Sequence, residues 1–298
     1  MVRMKSHCGR SARLHCSYDL REQRLEQVVI TDEHQGEGLQ HFELAPGDLI
    51  VADRWYCRSS AIQRVSAAQA HLLVRWHSNN LPLRTRDGVP VDVAAWLPTI
   101  RGETAEMAIL AAAQPLRLLA CRLSPKAAKR ETYRRRRQAV KGGSQVQAQT
   151  LVYAAWLLLI TSLPAADWSL ADALTLYRAR WQVEVLFKRI KQLLRLHGLP
   201  SDAYSANEAF LAWSFVAWAL LERQVDRLGE RLPASSRWQT TALLVDALRS
   251  MVWGHWSWTA SWSHLEALRR YLRPSRPPHR LWSMNPILSH LASVHACS

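Results

Sequence analysis

The sequence predicts an α/β fold, and three observations lead to it. Short runs of strand length or strand period occur at 12–20, 25–31, 49–52 and 71–76. Longer stretches with a helical pattern occur at 59–70, 170–197 and 208–228. The run at 49–52 ends in Asp53, and a carboxylate at the end of a central strand sits where α/β folds build active sites.

Each element has its own signal. In 12–20 the apolar groups alternate (Leu14, Cys16, Tyr18, Leu20), which predicts a half-buried strand. Residues 25–31 are rich in Val and Ile and predict a second strand, with a hairpin turn at 19–24. Pro46 and Gly47 punctuate the chain before the apolar run that ends in Asp53. Ile62, Val65 and Ala68 give 59–70 a helical period. Turn residues gather from 77 to 102, and 107–110 and 116–123 predict further strands. The run 127–141 is strongly basic and predicts a helix that loosens at Gly142-Gly143. Its bland reading is a solvated face; its functional reading is phosphate contact without sequence preference.

Composition narrows the partners. The chain has 298 residues, a net charge of +15 and 48% apolar residues. Such a chain can bury a large core in one domain or two. The excess of Arg suits phosphate oxygens, so the expected partner is nucleic acid ahead of membrane. Five cysteines without a Cys-x2-Cys pair disfavour a disulfide framework or structural zinc and fit a reducing cytosol. The most apolar runs, 151–163 and 210–221, are shorter than the ~20 residues that span a bilayer, so no membrane role is expected.

The stretch 170–197 is the most informative. Ser169 can cap it with Asp172, and Gly198 and Pro200 can stop it. One long helix would set Val183, Leu186, Phe187, Ile190 and Leu194 on one face. Tyr177, Arg180, Glu184, Lys188 and Lys191 would share the opposite face. Helical ion pairs such as Glu184 with Lys188 are the bland reading of that second face.

The spacing Tyr177-x2-Arg180-x3-Glu184-x6-Lys191 resembles the signature of DDE transposases of the insertion-sequence-four type. The segment from Gly47 through Asp53, Arg54, Trp55 and Tyr56 resembles their second catalytic Asp segment, with Trp55 where Gly is common. The resemblance covers roughly 11–230 and implies a ribonuclease H-like mixed sheet flanked by helices and interrupted by a β-rich insertion. Residues 1–70 would open the catalytic core without its first strand, 71–163 would be the insertion, 164–235 would complete the core, and 236–298 would form a Trp-rich helical segment. Trp156 lies in the apolar segment where relatives can place a Trp against a flipped base; core packing is its other reading.

The resemblance also implies chemistry. Asp53 and Glu184 would be catalytic acids and metal ligands, and a complete site would hold two Mg²⁺ or Mn²⁺ ions. Tyr177, Arg180, Lys188, Lys191 and Arg54 would bind DNA. Partners would be double-stranded DNA (terminal inverted repeats and target), with a homodimer suited to paired ends. The location would be the bacterial cytoplasm, with the nucleoid. The family's first catalytic Asp has no counterpart, because residues 1–12 contain no acid. The expectation is an N-terminally truncated transposase, a metal-dependent endonuclease and strand-transfer enzyme with impaired activity. The alternative is a non-catalytic DNA-binding remnant or inhibitor of a full-length transposase. A third reading, a general nucleic-acid-binding protein with a chance helical motif, predicts no special role for Arg180 or Lys191.

Overall fold

A computed structural model describes residues 2–5, 11–22, 24–194, 196, 198–231 and 237–252, with isolated positions 259 and 263. The chain is α/β, with a mixed five-stranded sheet flanked by helices, as a ribonuclease H-like fold requires. It divides into two compact units. One comprises 1–37 with 181–298; the other is 38–180. These compact units are bounded at 37/38 and 180/181, whereas the expected core and insertion are bounded at 70, 163 and 235.

The unit 38–180 is built on the five-stranded sheet. Its strands are β4 (Leu49–Ala52), β5 (His71–Arg75), β6 (Thr104–Ala111), β7 (Gln114–Arg122) and β8 (Trp156–Thr161), in the order β4-β5-β8-β7-β6. β4 and β5 are parallel; every other pair is antiparallel. The parallel pair needs a crossover, which α1 (Ser59–Ala67) supplies as expected from its Ile62 and Val65 stripe. β8 is central, and Leu158, Leu159 and Ile160 are all buried, so both faces of the sheet are covered. On one face Val74, Leu118 and Ile160 form a core with Ile62 and Val65 of α1. α5 (Leu170–Ala179) packs against β4 and β5 and buries Ala173, Leu174 and Leu176.

One local feature differs from expectation. The β6–β7 turn is made by Ala112 and Ala113, both at positive φ (50° and 62°). That is the geometry of a two-residue primed hairpin, for which Asn and Gly are the usual residues. Two alanines gave no turn signal in the sequence. The helix expected at 127–141 is α3 (Pro125–Lys141); Ser124 caps it by accepting from Ala127 N, and Pro125 opens its first turn. Between α3 and β8 lies α4 (Ala148–Ala154).

The other unit holds a separate three-stranded antiparallel sheet: β1 (Val2–Lys5), β2 (Ser11–Asp19) and β3 (Arg24–Thr31). The sequence predicts no element in 1–10, yet β1 forms there and pairs with β2; none of its residues is an acid. One position on the polar face of β2 departs from the alternation. His15 is fully buried and its Nε2 lies 2.8 Å from Thr31 Oγ1, which gives the imidazole a polar partner away from water. α6 (Trp181–Leu193), α7 (Tyr204–Arg231) and α8 (Arg237–Val252) belong to this unit. Leu186, Phe187 and Ile190 of α6 share a core with Leu211, Phe215 and Trp218 of α7. The apolar face expected for the signature helix is therefore the buried one. The tryptophans at 253, 256, 258, 262 and 282 lie outside the described residues.

Candidate active site and nucleic-acid interface

The helix expected over 170–197 is divided. α5 ends at Ala179 and α6 begins at Trp181. At Arg180 the backbone N–H donates to Tyr177 O at 3.2 Å, an i−3 bond that tightens the last turn of α5. The five residues expected on one face are thus shared between two units. Tyr177 and Arg180 belong to 38–180; Glu184, Lys188 and Lys191 belong to the other. In α6 the spacings of four and three keep Glu184, Lys188 and Lys191 on one side, and Glu184 and Lys188 are exposed there.

Asp53 follows the last residue of β4, as the sequence predicts. Its Oδ1 accepts from Trp55 N at 2.8 Å and caps a short 3-10 turn, Arg54–Tyr56. That turn needs no positive φ, so Trp55 is accommodated where relatives commonly have Gly. Trp55 is 46% exposed and its ring lies 5.8 Å from that of His77, with the Arg54 guanidinium 5.7 Å from the indole.

The electrostatics tie these groups together. Burial raises the Tyr177 phenol above its ordinary value, the charge on Asp53 adds to the rise, and Arg180 and Arg75 pull against it. The phenol therefore keeps its proton at neutral pH and can donate. The Arg180 guanidinium lies 5.8 Å from the Tyr177 ring centroid. Burial lowers the Arg54 guanidinium's pKa, and Arg135, Arg75 and Arg134 push it further down. His77 is lowered by burial and by Arg54 and Arg135, so its imidazole is neutral at pH 7.

Sequence reasoning missed Arg75, His77 and Glu131. Arg75 stands one residue beyond the paired Ala52 and Val74, level with Asp53 at the C-terminal end of the parallel pair. The available signal was that a cation, Arg75, stands near the end of the apolar run 71–76, as an acid, Asp53, follows the run 49–52. Glu131 gave no signal, being one acid in a basic run. Trp156 is buried, with the Arg122 guanidinium 4.3 Å above its ring, which supports the core-packing reading.

For a divalent metal the donor chemistry is right but sparse. Asp53 and Glu184 offer hard carboxylate oxygens. Among the described residues no group of three or more His, Cys, Asp or Glu is placed to hold an ion. One Asp53 oxygen is engaged by Trp55 N.

Comparison with known proteins decides the family. Residues 3–220 match the family described as the Transposase DDE domain. The chain belongs to the DDE transposases. It is 32% identical over 220 residues to the putative transposase InsL for insertion sequence element IS186A of Escherichia coli (strain K12). It is likewise 32% identical over 220 residues to the transposase for insertion sequence element IS421 of Escherichia coli. In both cases the match takes in 70% of this chain and 58% of the relative, so the DDE match spans well under two thirds of those proteins. DDE transposases as a family use divalent metal. No described helix is long and apolar enough to cross a membrane.

Proposed function

We propose that this chain is the transposase of an insertion sequence of the insertion-sequence-four type, acting on double-stranded DNA at transposon ends. Asp53 serves as its second catalytic acid and Glu184 as its third. Tyr177, Arg180, Lys188, Lys191 and Arg54 hold DNA. The observation that carries this reading is the setting of Asp53. It ends a β-strand of the mixed sheet and is felt electrostatically by Tyr177, itself a residue of the four-residue signature.

The residues have separate tasks. Asp53 is fixed by the Trp55 N–H, which leaves its second oxygen for a metal ion. Tyr177, held protonated, donates to a phosphate oxygen, and Arg180 and Arg54 offer planar donor forks to neighbouring phosphates. Lys188 and Lys191 add positive charge along the face of α6 that carries Glu184. Mg²⁺ or Mn²⁺, two ions in a complete site, would activate the attacking oxygen and stabilise the leaving one.

Residues 1–12 supply no acid to complete the triad, so cleavage by these 298 residues alone is impaired. The test incubates the purified chain with supercoiled plasmid carrying the element's ends, with Mg²⁺ or Mn²⁺. DNA binding without efficient nicking is expected. Efficient nicking that Glu184→Ala abolishes would refute the impairment; loss of DNA binding to none would refute the whole reading. A second reading is a non-catalytic occupant of transposon ends that inhibits a full-length enzyme. The feature that favours it is the one that impairs cleavage: residues 1–12 contain no acid. It predicts that added chain slows cleavage by a full-length relative, and that Glu184→Ala slows it equally.

A further inference from the structure

The basic helix α3 has one face that is organised rather than merely solvated. Glu131 is only 15% exposed at its side chain. Its Oε1 accepts from Arg134 Nη2 at 2.7 Å and from Arg135 Nε at 3.0 Å. Arg75, from the end of β5, brings its Nη2 to 4.0 Å from the same oxygen. Three guanidiniums from two elements therefore converge on one carboxylate.

This arrangement is unfavourable as it stands. Even with Asp53 counted, the three guanidiniums outnumber the two carboxylates. Like charges held close repel, and the repulsion is relieved by an anion that several of them share. Glu131 occupies only part of the donor capacity, since each guanidinium has five N–H groups in a fixed fork. The side chains of Arg75, Arg134 and Arg135 are 28%, 56% and 26% exposed, so their outer N–H groups reach solvent. A phosphodiester oxygen matches that geometry. The array adjoins Asp53 because Arg75 is level with it across the parallel pair.

We propose that Glu131 fixes Arg75, Arg134 and Arg135 as a phosphate-binding array that grips the backbone of double-stranded DNA beside Asp53. The array rests on the DNA-processing reading above and adds to the signature residues a contact surface that their spacing does not contain. Glu131 is a positioning residue, acting through the arginines.

The test measures binding of a fluorescein-labelled random-sequence duplex to the full chain by anisotropy, without divalent metal, across a NaCl series. Each phosphate contact contributes about 0.9 to the slope of log K against log[salt]. Arg134→Ala with Arg135→Ala should lower that slope by about 1.8, and the exposed Arg134→Ala alone by about 0.9. Lys129→Ala with Arg136→Ala removes the same charge from the opposite side of α3 and should change it far less. Glu131→Gln removes a negative charge, which by itself would tighten binding; loss of the fixed array should weaken it several-fold instead. Equal slope changes for the two double variants, or tighter binding by Glu131→Gln, would overturn the array while leaving the transposase reading intact. A parent chain that binds no DNA would overturn both.

Discussion

Asp53 has two competing roles, and one pair of substitutions separates them. Its Oδ1 accepts from Trp55 N at 2.8 Å and caps the turn that follows β4. Asn retains an acceptor oxygen and caps about as well as Asp, whereas Ala removes the bond at a cost of about 1 kcal/mol. Asp53→Asn should therefore unfold in urea within a few tenths of a kcal/mol of the parent, and Asp53→Ala about 1 kcal/mol below it. Metal binding follows a different order. An amide is a poor replacement for a carboxylate on a hard cation, so both variants should lose Mn²⁺ affinity alike. The loss should be at least about tenfold, since even a group one shell out costs 10–100-fold. Free Mn²⁺ is read by electron paramagnetic resonance, and unfolding by far-ultraviolet circular dichroism. Mn²⁺ affinity unchanged in Asp53→Asn would refute ligation and leave Asp53 as a cap. Equal stability of the Ala variant and the parent would refute the cap. A parent that retains no Mn²⁺ would refute metal ligation by this chain.

Three further outcomes follow from the packing and charges. Ile160 is fully buried in the central strand β8; Ile160→Ala removes three carbons at ~0.8 kcal/mol each and leaves a cavity, for a loss of about 4 kcal/mol in urea unfolding. A loss under about 1 kcal/mol would show that the strand is not central to the core. Ala113→Gly should gain about 1 kcal/mol, because φ of 62° costs an L-residue with a Cβ and costs Gly nothing; destabilisation would refute the primed hairpin. Burial raises the Glu131 carboxyl, but hydrogen bonds and charges from Arg134 and Arg135 outweigh it, and its pKa falls below the usual 4.5. Its contribution to stability is therefore fully present above about pH 4.5 and is lost as pH falls through the lower folded value. Glu131→Gln should flatten the acid limb of the stability profile, and an unchanged limb would contradict the depressed pKa.

The fold was legible wherever a signal was local. Apolar runs located β4, β5 and β7, and the helical period located α1 and the buried face of α6; the apolar run 151–163 left strand and helix open, and it holds the end of α4 followed by β8. The β6–β7 hairpin was harder to see because Ala112-Ala113 carries none of the chemistry that usually marks a primed turn; the antiparallel register of the flanking strands imposes the backbone instead. His15 read as the wet side of an alternating strand because its partner, Thr31, is on the next strand, and the hydrogen bond that makes its burial tolerable is not a sequence pattern.

The candidate site shows the same division more sharply. Asp53 was legible because an apolar run ending in an acid is a contiguous feature. The signature residues were legible because fixed spacing on a helix makes neighbours, but that inference holds only while each N–H bonds four residues back. At Arg180 the bond runs three back, so the four-back pattern assumed from Tyr177 to Lys191 is interrupted in the middle of the motif. Tyr177 with Arg180, and Glu184 with Lys188 and Lys191, remain neighbours within their own helices; a common face for all five does not follow. Glu131 was the hardest to read. In sequence it is one carboxylate diluting a basic run, which argues weakly against phosphate binding. In the fold it gathers Arg75 with Arg134 and Arg135, so the same acid that lowers the net charge concentrates the cations beside Asp53. Net charge alone could not distinguish those effects, because what matters for a phosphate is where the guanidiniums are held rather than how many the chain contains.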